Sequence, residues 1–198
     1  MGKIFYLMGK SSSGKDTIYK RLLEDRTLNL QTIVPYTTRP IRVGETEGVE
    51  YHFVEKSVLQ EMKDSGRLIE ERTYYTYHGE WQYFTAADGQ IDLKHNHYLI
   101  IGTLESYHKT KEYYGDKVLV PILIDLDDGI RLQRALDRER SQDDPKYQEL
   151  CRRFLADADD FAEDKINKAQ IDRCFYNEDL EYCLSEITEY IKRNLSGS

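Results

Sequence analysis

Gly9-Lys10-Ser11-Ser12-Ser13-Gly14-Lys15, followed at once by Asp16 and Thr17, is the stretch on which the reading of this chain turns. It fits the pattern G-x-x-x-x-G-K, in which glycines let the backbone curl so that successive N–H groups point inward at a phosphate. Such a loop needs a buried strand before it and a helix after it. Lys3-Ile4-Phe5-Tyr6-Leu7-Met8 is a nearly unbroken apolar run, as in a parallel strand covered on both faces. Ile18, Leu22 and Leu23 then recur at helical spacing, with Lys20, Arg21 and Glu24 on other faces. The helix would turn the positive end of its dipole toward the phosphate, and Lys15 would add a mobile cation for the β- and γ-phosphates. The competing explanation is a plain Gly/Ser turn between strand and helix. Asp16 stands where a Ser or Thr commonly meets Mg²⁺, and Thr17 is the nearest hydroxyl. Asp16 and Thr17 are therefore the candidate metal ligands.

Composition bounds what surrounds this loop. The 198 residues suffice for one sizeable α/β domain with small appended parts. A net charge of −8 argues against broad nucleic-acid binding, which usually leaves a basic footprint. Cations for an anionic ligand must then be placed locally. Cys151, Cys174 and Cys183 are odd in number and form no C-x-x-C pair, which suits a reducing cytosol better than a disulfide framework or a zinc site. No apolar run approaches about 18 residues, and the N-terminus enters a strand with no signal-like segment. The expectation is a cytoplasmic protein with no membrane partner. Ser196-Gly197-Ser198 reads as a frayed end.

Further along, Leu30 to Val34 is a second strand candidate. Thr37-Thr38-Arg39-Pro40-Ile41-Arg42-Val43-Gly44-Glu45 follows, then Gly48 and the strand-like Tyr51-His52-Phe53-Val54. Pro and Gly make this a tight, exposed connection. Its two arginines are either solvated surface charge or an oxyanion clamp. Ser57-Val58-Leu59-Gln60 reads as a capping box opening a short helix that Gly66 ends. Leu68 to Tyr77, a turn at His78-Gly79-Glu80, and a return along Trp81 to Thr85 make an antiparallel, tyrosine-rich insert.

Tyr98 to Ile101 is another buried strand, and Leu104 to Tyr114 a helix closed by Gly115. Pro121 to Leu126 is expected as a strand with its proline at the first position. Asp127 caps a helix carrying Arg131, Arg134 and Arg138, with Arg140 just beyond. Gln142-Asp143-Asp144-Pro145 breaks it, and Pro145 opens the next helix, which holds Arg152 and Arg153. The mixed run Asp157 to Asp164 reads as a solvated helix face. Cys174-Phe175-Tyr176 is a last strand, and Leu180, Leu184, Ile187, Ile191 and Leu195 stripe a C-terminal helix. Strands alternating with helices predict an α/β fold, a parallel sheet covered on both faces.

The arginine-rich helix–break–helix at 131–153 admits two explanations. Arginines on a hinged segment could close over phosphates and exclude water from a phosphoryl-transfer site. Alternatively they are solvated and paired with Asp137, Glu139, Asp143 and Asp144. His95 and His97 lie two apart, but no third ligand suggests a metal pair.

The loop from Thr37 to Glu45, with Gly48 and Tyr51 to Val54, resembles the nucleoside-monophosphate loop of guanylate kinases. The similarity runs over nearly the whole chain: the phosphate loop, Leu68-Ile69-Glu70, a lid, and Tyr176-Asn177-Glu178-Asp179-Leu180. The resemblance implies transfer of the γ-phosphoryl group of ATP to GMP, with Mg²⁺ bridging the donor phosphates. It implies that Arg39, Arg42 and Tyr51 hold the GMP phosphate and that Glu70 accepts from guanine N1–H and N2–H₂. Tyr83 would join the phosphate contacts, and Thr85 and Thr103 would flank the base. ATP would lie on Gly9, Ser11, Ser12, Ser13, Gly14, Lys15, Asp16 and Thr17, with Asn177 nearby. Catalytic roles fall to Lys15, Arg39, Arg153 and a second lid arginine, Arg138 or Arg140, with Arg138 preferred. The domain would divide into a core (about 1–34, 86–130 and 154–198), a monophosphate-binding insert (about 35–85) and a helical lid (about 131–153).

Two departures bear on the acceptor. Ile101-Gly102-Thr103 replaces an Asp-x-Asp of the family, and Pro35 stands where a serine usually helps bind the base. A kinase of the same architecture for another nucleotide or a phosphosugar is one rival. A non-catalytic interaction module is another, but such modules tend to lose the loop lysine and glycines, and Lys15, Gly9 and Gly14 are present.

Overall fold

The computed structural model describes residues 1–42, 44–76 and 79–196. Its centre is β1, Ile4–Gly9, buried at every position. Alternation explains the unbroken apolar run. Phe5 and Leu7 face one core with Ile18, Leu22, Ile187 and Ile191, while Ile4, Tyr6 and Met8 face a second with Tyr98, Leu104 and Tyr107.

β1 lies in a parallel five-stranded sheet with β2 (Leu30–Thr32), β7 (His97–Ile101), β8 (Leu119–Asp125) and β9 (Cys174–Tyr176), ordered β2-β7-β1-β8-β9. Helices α1 (Lys15–Glu24) and α7 (Leu180–Ser196) cover the first face, and α3 (Leu104–Tyr114) the second. The α/β class, with helices on both faces of a parallel sheet, is as read from the sequence.

The insert forms its own sheet, ordered β4-β3-β6-β5, from β3 (Tyr36–Thr37), β4 (His52–Phe53), β5 (Leu68–Thr76) and β6 (Gly79–Ala86). Helix α2 (Lys56–Asp64) packs Leu59 and Met62 onto Phe84 and Ala86. The β5–β6 pairing is antiparallel, as expected, and part of its turn, Tyr77 and His78, lies outside the described residues together with Val43, Gly197 and Ser198. The stretch 131–153, expected as a lid, falls on α4 (Asp128–Arg140) and α5 (Tyr147–Asp160), which the short α6 (Glu163–Lys168) follows.

Several expectations need correction. Glu55, not Ser57, caps α2, and it makes no side-chain cap bond, so there is no capping box there. The capping box belongs instead to α3, where Thr103 and Ser106 bond reciprocally. Pro121 is the third residue of β8, not the first. It is tolerated because β9 joins β8 only from Leu123 onward, so the strand has a neighbour on one side only at the proline. Pro145 precedes α5 by two residues, with Lys146 at the N-cap.

Candidate active site

The phosphate loop is shaped by close approaches that need glycine. A Cβ on Gly9 would lie 2.5 Å from the Ile124 carbonyl oxygen of the adjacent strand. Gly14 has φ +88°, and a Cβ there would lie 2.2 Å from Asn177 Nδ2. That amide explains the crowding: Asn177, 3 % exposed, donates to the Ser13 carbonyl at 2.7 Å and holds the loop from beneath. Ser12 Oγ and Ser13 Oγ are buried without a partner, an arrangement that fits a loop awaiting an anion. Asp16 and Thr17 are exposed on the first turn of α1. No cluster of three metal-ligating side chains exists among the described residues. Mg²⁺ carried on nucleotide phosphates requires only one or two protein oxygens, which Asp16 and Thr17 can supply.

Helices α4 and α5 meet the loop through the ion pair of Arg131 with Asp157. Arg131, its side chain 1 % exposed, donates through Nη1 to the Ser11 carbonyl at 2.9 Å and lies 3.4 Å from Asp157 Oδ2. Asp157 in turn accepts from the Ser11 N–H at 2.8 Å. Asp128 completes the group, accepting from Arg131 Nε at 2.9 Å and from Lys10 Nζ at 3.3 Å. The acidic run at 157–164 is therefore not simply a solvated face. Arg138 and Arg153 line one cavity of about 220 Å³ with Ser11 and Ser12, whereas Arg140 is exposed and lies 3.9 Å from Asp137. Arg153 donates to Glu149 at 2.9 Å, and Arg152 binds the same carboxylate twice at 2.7 Å. Hydrogen bonding from Arg152, then Arg153, holds the Glu149 carboxyl down at about 2.

On the insert, the Arg39 guanidinium lies 5.5 and 5.4 Å from the rings of Tyr51 and Phe53, which meet edge to face. Its Nε donates to Tyr83 Oη at 3.1 Å, and its fork grips Glu45 at 2.8 and 2.9 Å. Glu45 also accepts from the Arg42 N–H at 2.8 Å, so one carboxylate sets both arginines of the loop. The Arg42 guanidinium lies over the Trp81 ring. Arg39, Tyr51 and Tyr83 are thus brought together, with Arg42 at the rim.

Deeper under the insert lies Glu70, 3 % exposed. Its carboxylate accepts from Thr85 Oγ1 at 2.9 Å and from Arg72 at 3.0 and 3.3 Å. A single cavity of about 220 Å³ is lined by Lys15, Asp16, Tyr51, Glu70, Arg72, Thr85 and Thr103. It joins the phosphate loop to the insert. Burial, aided by the Glu70 charge and opposed by Arg72 and by hydrogen bonding with Ser106 and Thr110, pushes the adjoining Tyr6 phenol up to about 12. The Thr103 hydroxyl, though at the cavity, accepts from the Ser106 N–H at 3.2 Å and is committed to capping α3.

Sequence reasoning left Arg72 without a role, placed Asp157 on a solvated face, and counted Arg131 and Arg134 among the hinged arginines without singling either out. Arg134 has its Nη1 3.8 Å from the Cβ position of Gly14, beside the loop. Helical spacing held a signal for it, since 131, 134 and 138 share one face. His95 and His97 are separately engaged, by Asp92 and by the Lys3 N–H.

A family model described as guanylate kinase matches residues 1–85. A guanylate kinase of Salinibacter ruber is 30% identical over 203 residues, spanning 98% of this chain and 97% of that protein. One from Porphyromonas gingivalis is 27% identical over 195 residues, spanning 96% and 97%. Among solved structures, guanylate kinase from Anaplasma phagocytophilum superposes with a TM-score of 0.66 at 21% identity, covering 97% of this chain and 85% of that one. The phosphate loop, the acceptor insert and similarity along the whole length agree, and this chain belongs to the guanylate kinase family.

Proposed function

We infer that this chain transfers the γ-phosphoryl group of ATP to GMP, yielding ADP and GDP. The observation that carries the reading is the shared cavity, in which Lys15 and Asp16 of the phosphate loop face Tyr51, Glu70 and Thr85 of the insert. Donor and acceptor sites that open on one another suit direct in-line transfer, where positioning and charge neutralisation supply the rate.

Roles follow from the geometry. The loop amides from Ser11 to Thr17 and Lys15 would hold the donor phosphates, with Gly9 and Gly14 giving the loop its shape and Asn177 keeping it in place. Arg39, Arg42, Tyr51 and Tyr83 would hold the acceptor phosphate and Glu70 its base, with Thr85 setting the Glu70 carboxylate and Thr103 forming part of the wall beside it. Arg138 and Arg153 would neutralise the transferring group when the lid closes. Mg²⁺, if held by Asp16 and Thr17, would supply further neutralisation of the donor phosphates. Core, insert and lid would then move as three parts of one domain. No described helix is long and apolar enough to cross a membrane. The proposed location is the cytoplasm, supported by three free cysteines.

Coupled measurement of ADP release with ATP and GMP tests the assignment. Lys15→Met should lower turnover on the order of 100-fold or more, as loss of a charge aimed at the transition state does. Its melting temperature should stay near that of the unaltered protein, because Lys15 packs into neither core. A Lys15→Met protein with unaltered turnover would remove Lys15 from the donor phosphates.

A further inference from the structure

A carboxylate that reads guanine through both N1–H and N2–H₂ needs a free acceptor on each oxygen. Glu70 lacks that pair. Its Oε1 accepts from Arg72 Nη2 at 3.3 Å and Thr85 Oγ1 at 2.9 Å, and its Oε2 accepts from Arg72 Nε at 3.0 Å. Three of about four lone-pair sites are engaged, which leaves one, on Oε2. Asp16, the other carboxylate along this cavity, belongs to its phosphate-loop end.

Arg72 stands two residues from Glu70 on β5, hence on the same face of the strand, and lines the same cavity. Two of its five N–H groups are directed at Glu70, and the Tyr74 hydroxyl is a further hydrogen-bond neighbour, so the fork is not used up. The pair is neutral as a whole, so a second phosphate would meet no uncompensated cation here, whereas a neutral ring with a carbonyl would find a donor. Neighbouring groups leave that task to Arg72. Thr85 gives its hydroxyl proton to Glu70, Thr103 is committed to the α3 cap, and Pro35 carries no donor. Tyr6 closes the floor: a Cβ on Gly102 would lie 2.6 Å from its ring.

We propose that Arg72 is the specificity-determining residue of the acceptor pocket. Its guanidinium donates to the carbonyl oxygen of a 6-oxopurine while the remaining acceptor of Glu70 takes the adjacent ring N–H. The pocket therefore selects 6-oxopurine monophosphates as a class, GMP and IMP alike, without reading the 2-amino group. Adenine would set its amine against the guanidinium and its N1 lone pair against the carboxylate, two mismatches in a dry site. The inference rests on the monophosphate-kinase reading above.

Rates of ADP release with GMP, IMP and AMP as acceptors test it first on the unaltered protein. The expectation is a kcat/KM for IMP within about tenfold of that for GMP, and for AMP about a hundredfold or more below both, as for a site whose buried polar groups are mismatched. IMP at a hundredfold below GMP would mean the 2-amino group is read, and would overturn the proposal. Arg72→Gln should lower kcat/KM for both 6-oxopurines at least tenfold, mainly through KM, narrow the preference over AMP and leave the KM for ATP unchanged. Arg72→Lys keeps the charge beside Glu70, and so the fold, but an ammonium lacks the fork that serves carboxylate and carbonyl together. It should show the same narrowed preference. Unaltered selectivity in Arg72→Lys overturns the role of Arg72 and leaves the kinase reading standing. An unaltered protein that phosphorylates none of the three acceptors removes the kinase reading, and the proposal with it.

Discussion

Asp157→Asn strips the charge from a carboxylate bonded to the phosphate loop while retaining an oxygen that can accept from the Ser11 N–H. Arg131 then loses its partner at 3.4 Å but keeps Asp128 and the Ser11 carbonyl. At an effective dielectric of about 20, a pair near 4 Å attracts by about 4 kcal/mol. Desolvation offsets much of that, and the retained contacts hold Arg131 in place, so the expected loss is about 2 kcal/mol. For a chain of this size each kcal/mol moves the melting temperature by about 2–4 °C, giving a fall of about 4–8 °C. The kinetic consequence has the opposite sign. Asp157 occupies a loop N–H at 2.8 Å that a triphosphate would use, and its charge repels the ligand. Relieving about 1 kcal/mol of that repulsion should lower the KM for ATP roughly fivefold. Thermal melts and ADP-release rates at saturating GMP measure both. An unmoved melting temperature would refute the buried pair, and a raised KM would mean that Asp157 supports the ATP-bound loop rather than competing with phosphate.

Two further outcomes follow from the loop and the lid. Gly14→Ala should cost about 1–2 kcal/mol for a side chain at φ +88°, and about 1–3 more for pushing Asn177 off the Ser13 carbonyl. Denaturant unfolding should show the second part vanish in an Asn177→Ala background; an equal penalty in both backgrounds would exclude the clash with Asn177 as its cause. Glu149 is held at about 2 against an ordinary 4.5, so its contribution is complete above 4.5 and lost as pH falls from there through 2. The side chain is 41% exposed and screened, so Glu149→Gln should cost only about 0.5 kcal/mol at pH 7. It should also flatten the fall in urea midpoint between pH 5 and pH 3, and an unchanged slope would remove Glu149 from the acid response.

What the chain determines by itself is local. The run from Ile4 to Gly9 could only be a strand with both faces covered, and the glycines after it could only be a turn. Helix α3 and strand β9 end where the sequence placed them, because Gly115 and the flanking polar residues act within a few positions. Arg39, Tyr51, Tyr83 and Glu70 came from the resemblance of the loop and hairpin to a known family; the fold then brings Arg39, Tyr51 and Tyr83 into contact and seats Glu70 opposite Thr85. Tertiary structure decided the rest. Asp157 looked like one more acid in a solvated run; its hydrogen bond to Ser11 spans 146 positions and exists only because α5 docks beside the loop. Pro121 could enter β8 because β9 is too short to reach it. Arg72 drew no reading from the sequence; its place beside Glu70 along one cavity is visible only in the folded chain. Charge pairing is short-ranged in space and indifferent to separation along the chain, so which ions are buried together is settled by packing.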